Sequence, residues 1–96
     1  VVYVDYFPIR SFVDRASWAA SGLRGGFTSW YRTVDGNRAV GGHPWSQHLV
    51  GLAADHAPAS ASFRSKARAA GLIAIYEGDH DHIQAWPAGT LERVYA

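Results

Sequence analysis

The chain has 96 residues, 48% of them hydrophobic and including 4 Trp, 5 Tyr and 4 Phe, which supplies one small core and is too short for two, so a single domain over residues 1–96 is expected. Nine Lys and Arg against eight Asp and Glu give a formal net charge of +1 with no basic stripe, which argues against a nucleic-acid partner, and no apolar run approaches the roughly 20 residues of a membrane span. With no cysteine, disulfides and thiolate ligands are excluded, and any metal has to be held by His, Asp or Glu. The absence of methionine, even at position 1, points to a processed chain or to a domain of a longer one, and the start, Val1 to Asp5, lacks the basic-then-apolar form of a signal peptide.

In chain order, Pro8 to Ala20 carries Ile9, Phe12, Val13, Ala16 and Ala20 at helical spacing, with Pro8 suited to the first turn and Gly22 to the stop, so an amphipathic helix is expected. Phe27 to Thr33 is rich in β-branched and aromatic residues and reads as a strand that leaves into a turn at Asp35-Gly36-Asn37. Gly41 to Ser46 holds two glycines and a proline and reads as a loop. A turn at Gly51 then feeds the apolar run Leu52-Ala53-Ala54, which places Asp55 at the end of a buried strand. Pro58 to Ala70 reads as a second helix, capped by Ser60, stopped at Gly71 and showing Phe63, Ala67 and Ala70 on one face. Leu72 to Tyr76 and His80 to Trp86 form an antiparallel hairpin with Gly78 in its turn. Helices with antiparallel strands make the fold class α+β, a small antiparallel sheet with flanking helices.

The five histidines fall into two groups, His43, His48 and His56, then His80 and His82, with Asp55, Asp79 and Asp81 beside them. A catalytic zinc takes three nitrogen or carboxylate ligands and leaves a position open, whereas structural zinc fills all four, often with thiolates that this chain lacks. In a strand His80 and His82 share a face, because the side-chain period is two. Asp79 would face away in a regular strand, but the turn at Gly78 can bend it back.

Ser46-Gln47-His48-Leu49-Val50-Gly51-Leu52-Ala53-Ala54-Asp55 resembles, at every specified position, the S-x-H-x-x-G-x-A-x-D motif of the zinc D-Ala-D-Ala carboxypeptidase family, which shares its metal-site architecture with the hedgehog signalling domain. Asp79-His80-Asp81-His82 resembles the family's D-H-x-H motif, and Ser29 to Thr33 its S-x-Y-R-T strand, so the likeness runs from about Phe27 to His82. The resemblance implies a hedgehog/D,D-peptidase-like fold and Zn2+ held by His48, Asp55 and His82. It also implies a base at Asp79, with transition-state or substrate stabilisation by Arg32 and His80. The activity it implies is hydrolysis of an amide bond in peptidoglycan stem peptides, either as a D,D-carboxypeptidase or as an L-Ala-D-Glu endopeptidase. The partner is then a peptidoglycan peptide, and the protein is expected to be a monomer that acts outside the cell, in the periplasm or with a bacteriophage. The alternative is a non-catalytic zinc-containing domain that binds cell wall or protein.

Other residues receive plainer readings. His43 and His56 read as loop and surface residues, and Ser46 as a residue that caps local backbone or orients a ligand, since activated water needs no serine nucleophile. Most of Trp30, Trp45, Tyr76 and Trp86 are expected in the core. Glu77 reads as a solvated turn residue that competes with Asp79 for the base role. Arg64, Lys66 and Arg68 read as a solvated helix face, with a surface for anionic wall polymers as the sharper alternative.

Overall fold

The computed structural model describes residues 9–95. Its elements are α1 (Ile9–Ala20), β1 (Gly26–Ser29), α2 (Val34–Ala39), a 3-10 turn (Gln47–Val50), β2 (Ala53–Ala57), α3 (Ala61–Ala69), β3 (Ile73–Tyr76), β4 (Asp81–Gln84) and α4 (Thr90–Tyr95). The strands form one antiparallel sheet in the order β1-β2-β4-β3. This is the expected α+β architecture.

The two longer helices exist because each offers one apolar stripe to the sheet. In α1 that stripe is Phe12, Ala16 and Ala19, and in α3 it is Phe63 and Ala67, both fully buried. They meet Leu52, Ala54, Leu72, Ala74, Ile83 and Ala85 in one cluster. Ser60 caps α3 as expected, its hydroxyl accepting from Phe63 N at 3.2 Å. Pro8, expected in the first turn of α1, lies outside the described residues.

Alternation along the two central strands sorts side chains to opposite faces. Ala54, His56, Asp81 and Ile83 go to the helix side, and Asp55, His82 and Gln84 to the open side. On the helix side, Asp81 is completely buried and ties α3 to β4. Its Oδ2 accepts from Ser60 N at 2.7 Å and its Oδ1 from Arg64 Nη1 at 2.6 Å.

Several expectations need correction. The first strand is shorter than Phe27 to Thr33: it ends at Ser29, after a register irregularity between Phe27 and Ser29, and the chain then turns inward. Asp35-Gly36-Asn37 is helix rather than open turn. Thr33 caps it, accepting from Gly36 N at 3.0 Å, and the same short polar side chains that favour turns also favour helix starts. Asp55 lies in the middle of β2 rather than at its end, because backbone pairing with β4 continues to His56. His56 is not a surface residue: it is 1% exposed, stacked on Phe63 at 4.4 Å and edge-on to Phe27 at 5.1 Å. Burial holds its imidazole below the usual histidine range, the Asp81 charge opposing this. Trp30, Trp45 and Tyr76 are all exposed to a large degree, while Trp86 packs against the core. The short helix α4 was not anticipated, since six residues carry too little periodicity to announce one.

The cations of α3 are engaged within the fold. Arg64 pairs with Asp81, Lys66 donates to Ser21 O at 2.9 Å and lies over the Trp18 ring, and Arg68 donates to Ala74 O at 2.8 Å. The solvated-face reading holds only in part: Arg64 fastens α3 to β4 and Lys66 fastens it to the end of α1, while Arg68 stays exposed with one bond to β3. Replacing Asp81→Ala leaves Arg64 and the Ser60 N–H without their buried partner, which should cost about 3 kcal/mol in denaturant unfolding.

Candidate metal centre

The open face of the sheet forms the floor of a cleft of about 490 Å³. Asp55 and His82 are direct cross-strand partners in the β2–β4 register, so their side chains stand side by side on that floor. His48 arrives from the 3-10 turn. Ser46 caps this turn, accepting from His48 N at 3.2 Å, and Gly51 ends it in the left-handed conformation at φ 73°. A residue with a Cβ is disfavoured there, which is why a glycine stands between the histidine and the strand that carries Asp55.

Hydrogen bonds fix which atom each ligand presents. His48 Nδ1 lies 2.6 Å from Trp30 O, and since a carbonyl only accepts, Nδ1 carries the proton and Nε2 is left with its lone pair. That Nε2 lies 3.5 Å from Asp55 Oδ2. Gln84 Nε2 donates to Trp86 O at 2.6 Å, which leaves Gln84 Oε1 to accept from His82 Nε2 at 2.7 Å. His82 Nδ1 then faces Asp55 Oδ1 at 3.1 Å.

The donor set fits zinc. One ligand atom from each of His48, Asp55 and His82 lies within 4.8 Å of the others. His48 Nε2 and His82 Nδ1 stand beside the two different oxygens of the Asp55 carboxylate, so all three side chains can reach one ion with bonds of about 2 Å. Two neutral-nitrogen donors and one carboxylate are a set that zinc accepts, and each imidazole has its other nitrogen hydrogen-bonded, as metal-ligating histidines usually do.

The electrostatics agree. Burial would raise the Asp55 carboxyl, but hydrogen bonds and charges from His48 and His82 outweigh it and hold the group well below the usual carboxylate range. Burial would lower the His82 imidazole, but its bonds to Asp55 and Gln84, with the charges of Asp55 and Glu77, raise it. In the metal-free protein the pocket therefore stabilises a cation next to Asp55.

Arg32, expected near the end of the first strand, lies beyond that strand and lines the cleft, with its guanidinium bound to Asp55. Nη2 donates to Asp55 Oδ2 at 3.0 Å, Nε to Ser29 Oγ at 3.1 Å and Nη1 to Asn37 Oδ1 at 3.4 Å. His80 also lines the cleft. Its Nδ1 lies 2.7 Å from Asp79 Oδ1 and its Nε2 3.1 Å from Glu77 Oε1, and these bonds, the one to Asp79 first, raise the imidazole above its ordinary range against a smaller effect of burial. Asp79 lies apart from the others. Its side chain is 93% exposed, and the wall of the cleft near His80 is formed by Glu77 instead.

The sequence model described as Peptidase M15 matches residues 18–83, a segment that holds β1, all three candidate ligands and both motifs. The chain belongs to the peptidase M15 family. M15 peptidases are zinc-dependent enzymes of the peptidoglycan-cleaving kind, so the chain is a metallopeptidase by family and the triad is its candidate zinc site. No curated protein and no solved structure matches the chain.

Three cleft residues, Gln47, Gln84 and His43, and one buried residue behind them, Asn37, were not singled out for the site from sequence. Asn37 is 3% exposed, and its amide joins Arg32 to His43 O. Gln47, the variable position inside the first motif, bonds both ways to the Trp86 backbone at 2.6 and 2.9 Å. Gln84 was findable, since it lies two residues after His82 on the same strand face. His43, read as a loop residue, lines the cleft with its Nδ1 3.6 Å from Glu92.

Three outcomes are expected. Zinc at a hundredfold excess over its dissociation constant should stabilise the fold by about 2.7 kcal/mol, and Gln84→Ala, which frees the His82 ring, should weaken zinc binding by roughly 10- to 100-fold in calorimetric titration. In chelator-treated protein the raised His82 pKa adds stability that is complete below about pH 6.5. That stability is lost as pH rises through the folded value, so thermal unfolding should show a fall on the alkaline side that His82→Ala diminishes, the raised His80 imidazole keeping a smaller share.

Proposed function

We propose that the protein is a zinc peptidase that hydrolyses an amide bond in peptidoglycan stem peptides, as a D-Ala-D-Ala carboxypeptidase or an L-Ala-D-Glu endopeptidase. It works as a monomer outside the cytoplasm, in the wall, the periplasm or a phage particle. The observation that carries this reading is the convergence of His48, Asp55 and His82 on the floor of an open cleft, with Arg32 and His80 on its walls. Among the described residues no helix is long and apolar enough to cross a membrane, and the substrate is taken to be a peptide that reaches the cleft from solvent.

Zinc held by His48, Asp55 and His82 would act as a Lewis acid toward the scissile carbonyl and make water a nucleophile at neutral pH. The chain's own groups do the rest. Arg32 locks the orientation of Asp55 through a 3.0 Å charge-assisted bond and keeps a fixed positive charge at the cleft wall for the carbonyl oxygen or a substrate carboxylate. His80 presents an imidazole to the reacting peptide. Asp79, at the motif position of the base, reaches the cleft through His80, to which it is bonded at 2.7 Å.

Mass-spectrometric analysis of purified muropeptides incubated with the zinc-loaded protein tests the proposal. A single cut that disappears with chelator is expected, its masses naming the bond, and Arg32→Ala should lower kcat/KM by roughly 10²-fold. Tight zinc binding with no cleavage of any stem peptide would favour the wall- or protein-binding alternative.

A further inference from the structure

The carboxylates that line the cleft have hydrogen-bond partners inside it, with one exception. Asp55 accepts from Arg32 at 3.0 Å, and Glu77 lies 3.1 Å from His80 Nε2. Glu92 lines the same cleft from α4, partly exposed, and belongs to neither group of converging ligand atoms on the floor. Among the described residues no hydrogen bond reaches its carboxylate. His43 Nδ1 stands 3.6 Å from Glu92 Oε1, beyond hydrogen-bond distance. That nitrogen accepts from Trp45 N at 3.1 Å, so it holds a lone pair rather than a proton. Arg93, the next residue, donates to Thr90 Oγ1 at 3.2 Å instead. Local structure fixes this placement: Thr90 and Leu91 are buried, Thr90 Oγ1 donates to Pro87 O at 2.7 Å, and Arg93 N donates to Gly89 O at 3.1 Å.

We infer that Glu92 is a specificity residue that receives an ammonium group of the substrate, so that the cleft prefers peptides with a free amine. The inference rests on the peptidase reading above and adds a substrate class to it. A carboxylate only accepts, and the His43 nitrogen beside it is already an acceptor, so what the position lacks is a donor, best a cationic one. An ammonium brings three N–H donors and a full positive charge. Trp45 lines the same cleft with its ring partly exposed, and an indole is the aromatic surface that a cation favours most. Charge also gives the peptide a direction. Arg32 holds positive charge beside Asp55 on the other side of the ligand group, which turns an ammonium away from the floor and toward Glu92. A stem peptide carries an ammonium in two places, its free N-terminus and the side chain of a diamino acid, and both have the chemistry that Glu92 asks for.

One stem peptide in three forms, free, acetylated at the N-terminus and acetylated at the side-chain amine, is compared on zinc-loaded wild type and Glu92→Gln. On wild type, blocking the amine that Glu92 receives should raise KM by roughly 10-fold, and the form that shows the rise names the amine. In Glu92→Gln the ratio of blocked to free peptide should fall to about one. A structural role, such as the favourable place of an acidic residue in the first turn of α4, would shift all three peptides alike and leave that ratio standing. No rise with either blocked form, or a ratio that survives in Glu92→Gln, would overturn the inference. Wild-type protein that binds zinc and cuts no stem peptide fails the peptidase reading itself, and calorimetric titration of the same three peptides then reads the ratio as Kd and tests Glu92 on its own.

Discussion

Asp55 and His82 face each other across the β2–β4 ladder, and this cross-strand pair is the constraint on which the site depends. Side chains alternate along a strand, so a slip of one residue in either strand would turn its half of the pair into the core. The opposite face prevents the slip. Ala54, His56, Asp81 and Ile83 are buried there beneath α1 and α3, and Asp81 is bolted to Arg64 and the start of α3. The packing of the helices thus sets the register, and the register brings the carboxylate to the imidazole.

Around that pair, the remaining atoms are committed one by one. His48 gives Nδ1 to Trp30 O, His82 gives Nε2 to Gln84, and Asp55 accepts from Arg32. Arg32 in turn is held by Ser29 and Asn37, and Asn37 by its bond to His43 O. Gly42 packs so closely on Asn37 that a Cβ at this position would collide with its amide. The Tyr-Arg-Thr segment, the paired glycines and the histidine motif are separate in sequence, but in the fold they form one hydrogen-bonded support for a single carboxylate. Such support keeps a metal site at productive geometry rather than leaving three ligands to find one another.

Much of this was legible in the sequence. The spacing of Phe12, Ala16, Phe63 and Ala67 announced both long helices, and Gly78 announced the hairpin. The motif around His48 and Asp55, with the one ending at His82, pointed to residues that the fold does bring together. What the sequence did not show follows from tertiary context. Nothing local distinguishes a buried His56 from a surface one, since its burial comes from Phe27 and Phe63 on two other elements. Asp35-Gly36-Asn37 has the composition of a turn, and only the Thr33 cap and the bonds of Asn37 select a helix. Glu77 was named beside Asp79 from sequence, but which of the two lines the cleft was not legible, because the path of a four-residue turn depends on how its backbone closes.

The most direct measurement is a crystal structure of the zinc-loaded protein with anomalous scattering collected at the zinc edge. One strong peak is expected, bonded at about 2.0–2.2 Å to nitrogens of His48 and His82 and to an oxygen of Asp55, with Arg32 still on that carboxylate. A peak held by Glu77 and His80 without His48, or no ordered zinc in the cleft, would contradict the account.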